Sequence, residues 1–202
     1  MSRVVVINHL TLDGVMQAPG RPDEDRRGGF AHGGWAQPNT DDVMGRALGG
    51  SMAQGGPLLL GRRTYEDFHG YWPHQHDNPF TAVLDAAPKY VASTTLEEPL
   101  PWRNSFLLGG DVVAGVADLR ARADADVVVM GSGELVQALM RDDLVDRFLL
   151  MIHPLVLGAG RRLFPEAGAP ATLRLLDSVT TTTGVVIATY EPATRGSTGG
   201  MP

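Results

Sequence analysis

The chain contains no cysteine. That single absence excludes a disulfide framework, thiolate-bound zinc and a cysteine nucleophile together. Nor is there an apolar run near the roughly 20 residues that a membrane-spanning helix requires. The first apolar run, Val4 to Ile7, is too short for the core of a secretory leader and no small-residue cleavage site follows it. A cytoplasmic location with no membrane partner is therefore expected. A surplus of positive charge is also missing. The formal net charge of −6 speaks against a general nucleic-acid surface, which needs a basic face. An anionic ligand would have to be gripped locally, by arginines and by glycines that let the backbone come close.

What is present is the composition of one ordinary globular domain, with 202 residues, 43% hydrophobic and 20% charged. Arg3 to His9 reads as a buried strand, since Val4 to Ile7 are all β-branched. The segment Ala18 to Asn39 is long, irregular and rich in Gly, Pro and charge, the character of a functional lid or loop. Thr40 is placed to cap a helix whose first turn carries Asp41 and Asp42 and which runs to Gly55-Gly56. A strand at Pro57 to Leu60 leads into a second helix from about Thr64. A polar stretch, Trp72 to Pro79, precedes another strand at Lys89 to Ala92. Further strands are expected at Ser105 to Leu108, Val127 to Met130 and the long apolar region Leu144 to Leu157, with helices at Asp111 to Arg122 and Gly133 to Arg141. Two β-rich runs between Arg174 and Tyr190, joined near Thr183-Gly184, close the pattern. Alternating strands and helices imply a largely parallel sheet, and the final pair an antiparallel edge. One domain over residues 1–192 and a disordered tail over 193–202 are expected.

Three strand-to-helix turns could carry chemistry. In Leu60-Gly61-Arg62-Arg63-Thr64, unpaired helix amides, two forked guanidinium groups and a hydroxyl suit a phosphate. A solvent-facing arginine pair beside a helix start explains the same residues. Ser93-Thr94 follows a strand and could meet a ligand at the sheet's crevice or simply form a turn. Gly131-Ser132-Gly133-Glu134-Leu135 again offers an anion cradle, although the full GxGxxG dinucleotide pattern is missing. His74 and His76 have the spacing of two metal ligands but lie between prolines without a third, so no metal is assigned.

These segments resemble, in order, the motifs of the dihydrofolate-reductase-like family, in the branch of the riboflavin-biosynthesis reductase C-terminal domain. Thr11-Leu12-Asp13-Gly14 is similar to the family's S-x-D-G, and Gly61 to Glu66 to its G-R-x-T-x-E. Ser93-Thr94 and Gly131-Ser132-Gly133 resemble its further cofactor turns. Pro154 to Phe164 resembles its P-x-x-L-G-x-G-x-x-L-F stretch. The resemblance implies an α/β fold with a single mixed sheet, mostly parallel, helices on both faces and an antiparallel C-terminal edge. It also implies NADPH, with Arg62, Arg63 and Thr64 near the adenosine phosphates and Gly131 to Leu135 near the pyrophosphate. The backbone of Asn8 and His9 would approach the nicotinamide amide. The implied activity is hydride transfer to a C=N or C=O group of a small molecule, a pterin or a ribosylaminopyrimidine among the options, in a homodimer. A cofactor-binding module without turnover is the alternative.

For the proton, Asp41 and Asp42 lie where folate reductases place a carboxylate, and Asp13 follows the first strand. Opposing a helix dipole and forming a turn explain the same three residues without catalysis. Trp35 is an aromatic wall for the substrate or loop packing. Arg161 and Arg162 are a second phosphate site or surface charge.

Overall fold

The computed structural model describes residues 2–52, 56–166, 168 and 170–193. Its strands are β1 (Val4–Thr11), β2 (Leu58–Gly61), β3 (Lys89–Ala92), β4 (Ser105–Leu108), β5 (Val127–Met130), β6 (Arg147–His153), β7 (Leu173–Thr180) and β8 (Val186–Pro192). The helices are α1 (Asp42–Met52), α2 (Arg62–Tyr71), α3 (Pro79–Ala86), α4 (Val112–Arg122) and α5 (Gly133–Arg141). All eight strands join one sheet in the order β4-β3-β2-β5-β1-β6-β8-β7. The pairs from β4 to β6 are parallel, and β8 pairs antiparallel with both β6 and β7.

The β-branched run of β1 lies fully inside because parallel strands are covered on both faces. Val5 and Ile7 face a core built with Met44 and Met52 of α1, Tyr65 of α2 and Leu84 of α3. Val4 and Val6 face the other core, with Val116 and Leu119 of α4 and Leu135, Val136 and Leu139 of α5. Helices therefore cover both faces, as the strand–helix alternation implies.

This topology locates a crevice. The chain leaves β1 and β2 toward α1 and α2 on one face, but leaves β5, which lies between them, toward α5 on the other. Connections that diverge from neighbouring strands open a gap at the strands' carboxyl ends, where ligands of open α/β sheets bind. The gap is bordered by Asn8 and His9, which follow the last β1–β5 pair at Ile7 and Met130, by Gly61 at the end of β2 and by Gly131 just after β5.

Several local expectations are corrected. Asp41, not Thr40, caps α1, because its Oδ1 accepts from the Met44 amide at 2.9 Å. The last described residue of that helix is Met52, and the expected stop at Gly55 lies outside the described residues. Helix α2 begins at Arg62 rather than near Thr64. Helix α3 was not anticipated, yet Asn78 caps it by accepting from the Phe80 amide and Pro79 occupies its first position. The strand within 144–157 is confined to Arg147–His153. Of the expected tail, all but Ala193 lies outside the described residues.

Lys89, the chain's single lysine, is fully buried at the start of β3. Its ammonium donates to the carbonyls of Leu84 at 2.7 Å and Ala87 at 2.9 Å, and lies 4.4 Å from the Trp102 ring. It thereby satisfies the carbonyl end of α3. Burial lowers its pKa to about 8.

Candidate functional site

The crevice is the mouth of a cleft of about 1570 Å³ that runs from the β1, β2 and β5 ends to the side chains of α1, α2 and α3. Drug-sized pockets occupy roughly 300–1,000 Å³, so this one has room for a ligand larger than a single ring system.

Its first half is made of the three strand-to-helix turns, and two of them are tied together. Gly131 takes φ +57, and a Cβ there would lie 3.2 Å from the Thr64 side chain. Ser132 follows in the left-handed region at φ 52. Its Oγ accepts from the Gly61 amide at 2.9 Å, and its amide donates to Thr64 Oγ1 at 3.2 Å. Asn8 donates from Nδ2 to the Gly131 carbonyl at 3.2 Å. The Thr64 hydroxyl is thus a brace between turns. Ser93 is similarly occupied, its Oγ accepting from the Thr95 and Leu96 amides at 3.1 and 3.0 Å. Thr94 is exposed on the cleft wall.

Helices α1, α3 and α4 are capped by the side chains of Asp41, Asn78 and Asp111. Helices α2 and α5, whose first turns line the cleft along with Asn78 and Val112 at the starts of α3 and α4, have no side-chain cap. In α5 the first intrahelical bond is made by the Val136 amide to the Ser132 carbonyl. The amides of Gly133, Glu134 and Leu135 therefore precede the ladder and carry the positive end of the helix dipole. Arg62 and Arg63 stand beside the other uncapped turn. Arg62 pairs with Glu66 at 3.1 Å, whereas Arg63 is about half exposed and reaches Glu134 only at 3.9 Å. Two uncapped helix starts plus two neighbouring guanidinium groups fit a ligand with several phosphates.

The aspartates expected near the proton-transfer point are turned to other work, and none lines the cleft. Asp41 caps α1 and also accepts from Thr182, through its amide at 2.8 Å and its hydroxyl at 2.7 Å. Those bonds, the Met44 amide foremost, lower its pKa. Asp42 lies in the first turn of α1. Asp13 accepts from Thr11 Oγ1 at 2.5 Å and from the Leu157 and Gly158 amides at 3.2 and 2.8 Å. This set, led by the Thr11 hydroxyl, holds its carboxyl at about 2 and pins the turn after β1 to the loop after β6. Trp35 is loop packing: it is buried with Val15, Ala18 and Phe30, and its Nε1 donates to the Gln17 carbonyl at 2.7 Å.

Arg161 and Arg162 do line the cleft, but on the α5 side. Arg161 pairs with Glu134 at 2.9 Å, and Arg162 donates to the Asp13 carbonyl at 2.8 Å. They stand with the uncapped helix start, away from α1. Among the described residues, no three His, Cys, Asp or Glu groups are arranged to hold a metal ion.

The second half of the cleft was not foreseen from sequence. Its wall is apolar, with Met44 and Leu48 of α1, Phe68 of α2, then Trp72, Phe80 and Leu84. Arg21 crosses its mouth from the long loop, bonding Asp67 of α2 and lying 4.3 Å from the Tyr71 ring centroid. Glu24 closes the turn beneath it, accepting from the Gly20 amide at 2.6 Å and the Arg21 amide at 3.0 Å. Desolvation raises the pKa of both Asp67 and Glu24, with the Arg21 charge opposing it at each. At the end of β1, His9 Nδ1 lies 2.9 Å from Nε2 of fully buried His153. Trp35 meets His153 edge-on, with ring centroids 5.2 Å apart. Residues 9 and 153 belong to strands that pair in parallel, a neighbour relation that no local sequence signal carries.

Comparison with known proteins completes this description. The family model of the RibD C-terminal domain matches residues 3–187. The Bacillus subtilis (strain 168) protein YyaP, which is named without a function, is 27% identical over 137 residues, covering 66% of this chain and 72% of that protein. A crystal structure from Shewanella sp. PV-4, provisionally named a riboflavin biosynthesis protein, superposes with a TM-score of 0.70 at 25% identity. That match covers 96% of this chain and 99% of the other. Dihydrofolate reductase from Enterococcus faecalis, solved with NADP(H) and RAB-propyl, gives a TM-score of 0.59 at 14% identity over 94% of this chain and 96% of the other. At that identity the likeness is one of fold.

Proposed function

This chain belongs to the RibD C-terminal domain family, a family of reductase type, and we propose that it is an NADPH-dependent reductase of a small molecule bearing a C=N or C=O group. The observation that carries this reading is the pair of uncapped helix starts, α2 and α5, facing one cleft beside Arg62 and Arg63. The amides of Gly133, Glu134 and Leu135 would hold the pyrophosphate, and Arg63, the less engaged of the two arginines, the additional phosphate of the adenosine. Gly131, where a Cβ would press on the Thr64 side chain, lets the β5–α5 turn pack against the start of α2 and so keeps both helix starts at one cleft. The end of β1, at Asn8 and His9, would present main-chain groups to the nicotinamide amide. When bound, such a cofactor supplies the hydride. The chain's own contribution is to orient the acceptor against it.

The acceptor would occupy the apolar half, between Met44, Leu48, Phe68 and Phe80. That wall suits a molecule with an apolar or aromatic body. It offers no carboxylate from α1 of the sort a pterin would need, and Arg161 and Arg162 belong with the cofactor half rather than with a substrate phosphate.

The test is calorimetric titration with NADPH and NADH. Binding of NADPH with a clear preference over NADH is expected. Arg63→Ala should weaken NADPH about 10- to 100-fold, the effect of one charge-assisted bond to phosphate, and leave NADH nearly unchanged. Equal losses for both cofactors would remove the assignment of Arg63. Binding without consumption of NADPH across aromatic aldehydes, ketones and imines would make the chain a cofactor-holding module instead.

A further inference from the structure

The histidine pair at the end of β1 has an orphaned atom that determines its protonation. His153 is fully buried, and its Nδ1 has no hydrogen-bond partner among the described residues. Its Nε2 faces His9 Nδ1 at 2.9 Å. In the neutral form one ring nitrogen bears the hydrogen and the other a lone pair. If His153 carried its hydrogen on Nδ1, its Nε2 could accept from an Nδ1–H of His9, but the Nδ1–H of His153 itself would be a buried donor with no partner. Placing the hydrogen on Nε2 satisfies the donor and leaves only a bare acceptor, the cheaper of the two faults. His153 must then donate to His9, and His9 must accept through Nδ1. Its own hydrogen is left on Nε2, the polar ring atom available to the cleft that His9 lines.

We propose that His153 locks His9 as a neutral Nε2–H donor aimed into the cleft, where it binds the carbonyl oxygen or imine nitrogen of the molecule to be reduced. The inference deepens the reductase reading and rests on it for the identity of the acceptor. Burial keeps both rings neutral, with His9 lowered to about 3 and His153 to about 4. A neutral imidazole polarises an acceptor without surrendering its hydrogen. Giving up Nε2–H would create an imidazolate, so the hydride joins the carbon, water protonates the heteroatom, and the hydroxide left is neutralised by solvent through the open cleft. His9 is the residue that touches the substrate, and His153 is a positioning residue acting through it.

Long-range proton–nitrogen spectra of the 15N-labelled full chain at pH 7 read the tautomers directly. Both His9 and His153 are expected as Nε2–H. Because a free imidazole also favours that form, variants carry the decision. His153→Leu removes the donor and should shift the His9 tautomer ratio about five- to tenfold toward Nδ1–H, the effect of one net hydrogen bond. His153→Gln, whose amide N–H can occupy the place of Nε2–H, should restore the wild-type ratio, and carries the test if the leucine variant does not fold. Titration with acetophenone should move the His9 Nε2–H resonance, and ethylbenzene, which lacks the acceptor, should not.

An Nδ1–H form of His9 in the wild type, or an unchanged ratio in His153→Leu, would overturn the lock. The same response to both aromatics, or none to either, would overturn the acceptor site. NADPH calorimetry on the same variants keeps the two claims apart: loss of cofactor binding in the wild type sinks the reductase reading while the tautomer result stands by itself.

Discussion

Acidification should destabilise this fold through two rings in particular. A histidine in the unfolded chain takes up a proton near pH 6.5. In the folded chain His153 resists protonation until about pH 4 and His9 until about pH 3, because burial disfavours the charged ring. Between these limits the unfolded state binds more protons, so stability is fully present above pH 6.5 and is lost as the pH falls toward 4. At pH 5 the loss from fully buried His153 is about 2 kcal/mol, and that from His9, whose surface is partly open to the cleft, is at most about the same. Together they remove about 3 kcal/mol from a domain expected to hold only 5–15 kcal/mol.

Urea unfolding at pH 7.5, 6 and 5, followed by tryptophan fluorescence, measures this. With a slope of about 2–3 kcal/mol per molar urea, the midpoint should fall by about 1–1.5 M from pH 7.5 to 5. Carboxylates titrate in the same range, and those of Glu24 and Asp67, raised in the folded state, act in the opposite sense. The double variant His9→Gln/His153→Gln retains them all, so the difference between its slope and that of the wild type isolates the two rings. Parallel loss in both proteins would refute the reasoning, since it would mean that the imidazoles are solvated or already charged.

Three further outcomes follow from the contacts. Lys89→Met should cost about 2–4 kcal/mol, because the carbonyls of Leu84 and Ala87 lose their buried charged donor; in the native wild type Lys89 should stay unmodified by an amine-reactive acylating agent until urea unfolds the chain, as mass spectrometry of the peptides will show. Arg21→Ala removes the clasp to Asp67 and Tyr71, so limited proteolysis within residues 18–39 should accelerate several-fold while the sheet survives; an unchanged cleavage rate would show that Gln17 and Trp35 alone hold the loop. Thr64→Val removes the acceptor of the Ser132 amide and should cost about 1–2 kcal/mol of stability, with NADPH affinity falling alongside, measured by thermal unfolding and calorimetry.

The sheet was readable because its strands announce themselves. Val4 to Ile7, followed by Asn8, and Val127 to Val129, followed by Met130 and Gly131, are β-branched runs, and such runs have few other places to go than a sheet covered on both sides. The strand–helix alternation then leaves few topologies open. Helix α3 escaped because its signals, Asn78 as cap and Pro79 at the first position, lie inside a stretch of Pro, His, Asn and Asp that reads as loop. The long loop before α1 was recognisable as such, but its docking was not, since Arg21 and Asp67 are 46 residues apart in the chain.

The candidate site divides in the same way, and the division has a physical reason. Turns that grip phosphate do so with main-chain amides and glycine conformations, and those are local: Gly61 to Thr64 and Gly131 to Leu135 can be read from consecutive residues. Groups that handle the acceptor are single side chains whose role depends on what faces them across the fold. Asp13 and Asp41 have the right chemistry for proton transfer by type, yet each is saturated by amides and hydroxyls that sequence proximity does not reveal, with Thr182 lying 141 residues from Asp41. His9 showed only its backbone in the sequence, because its meaning comes from His153, placed beside it by the parallel pairing of β1 with β6. A carboxylate with every lone pair engaged is a structural element, whereas a ring with one nitrogen committed and the other at the cleft is available for chemistry. On that criterion the polar group to pursue at the end of β1 is the imidazole of His9, and the aspartates that flank the loop are its scaffold.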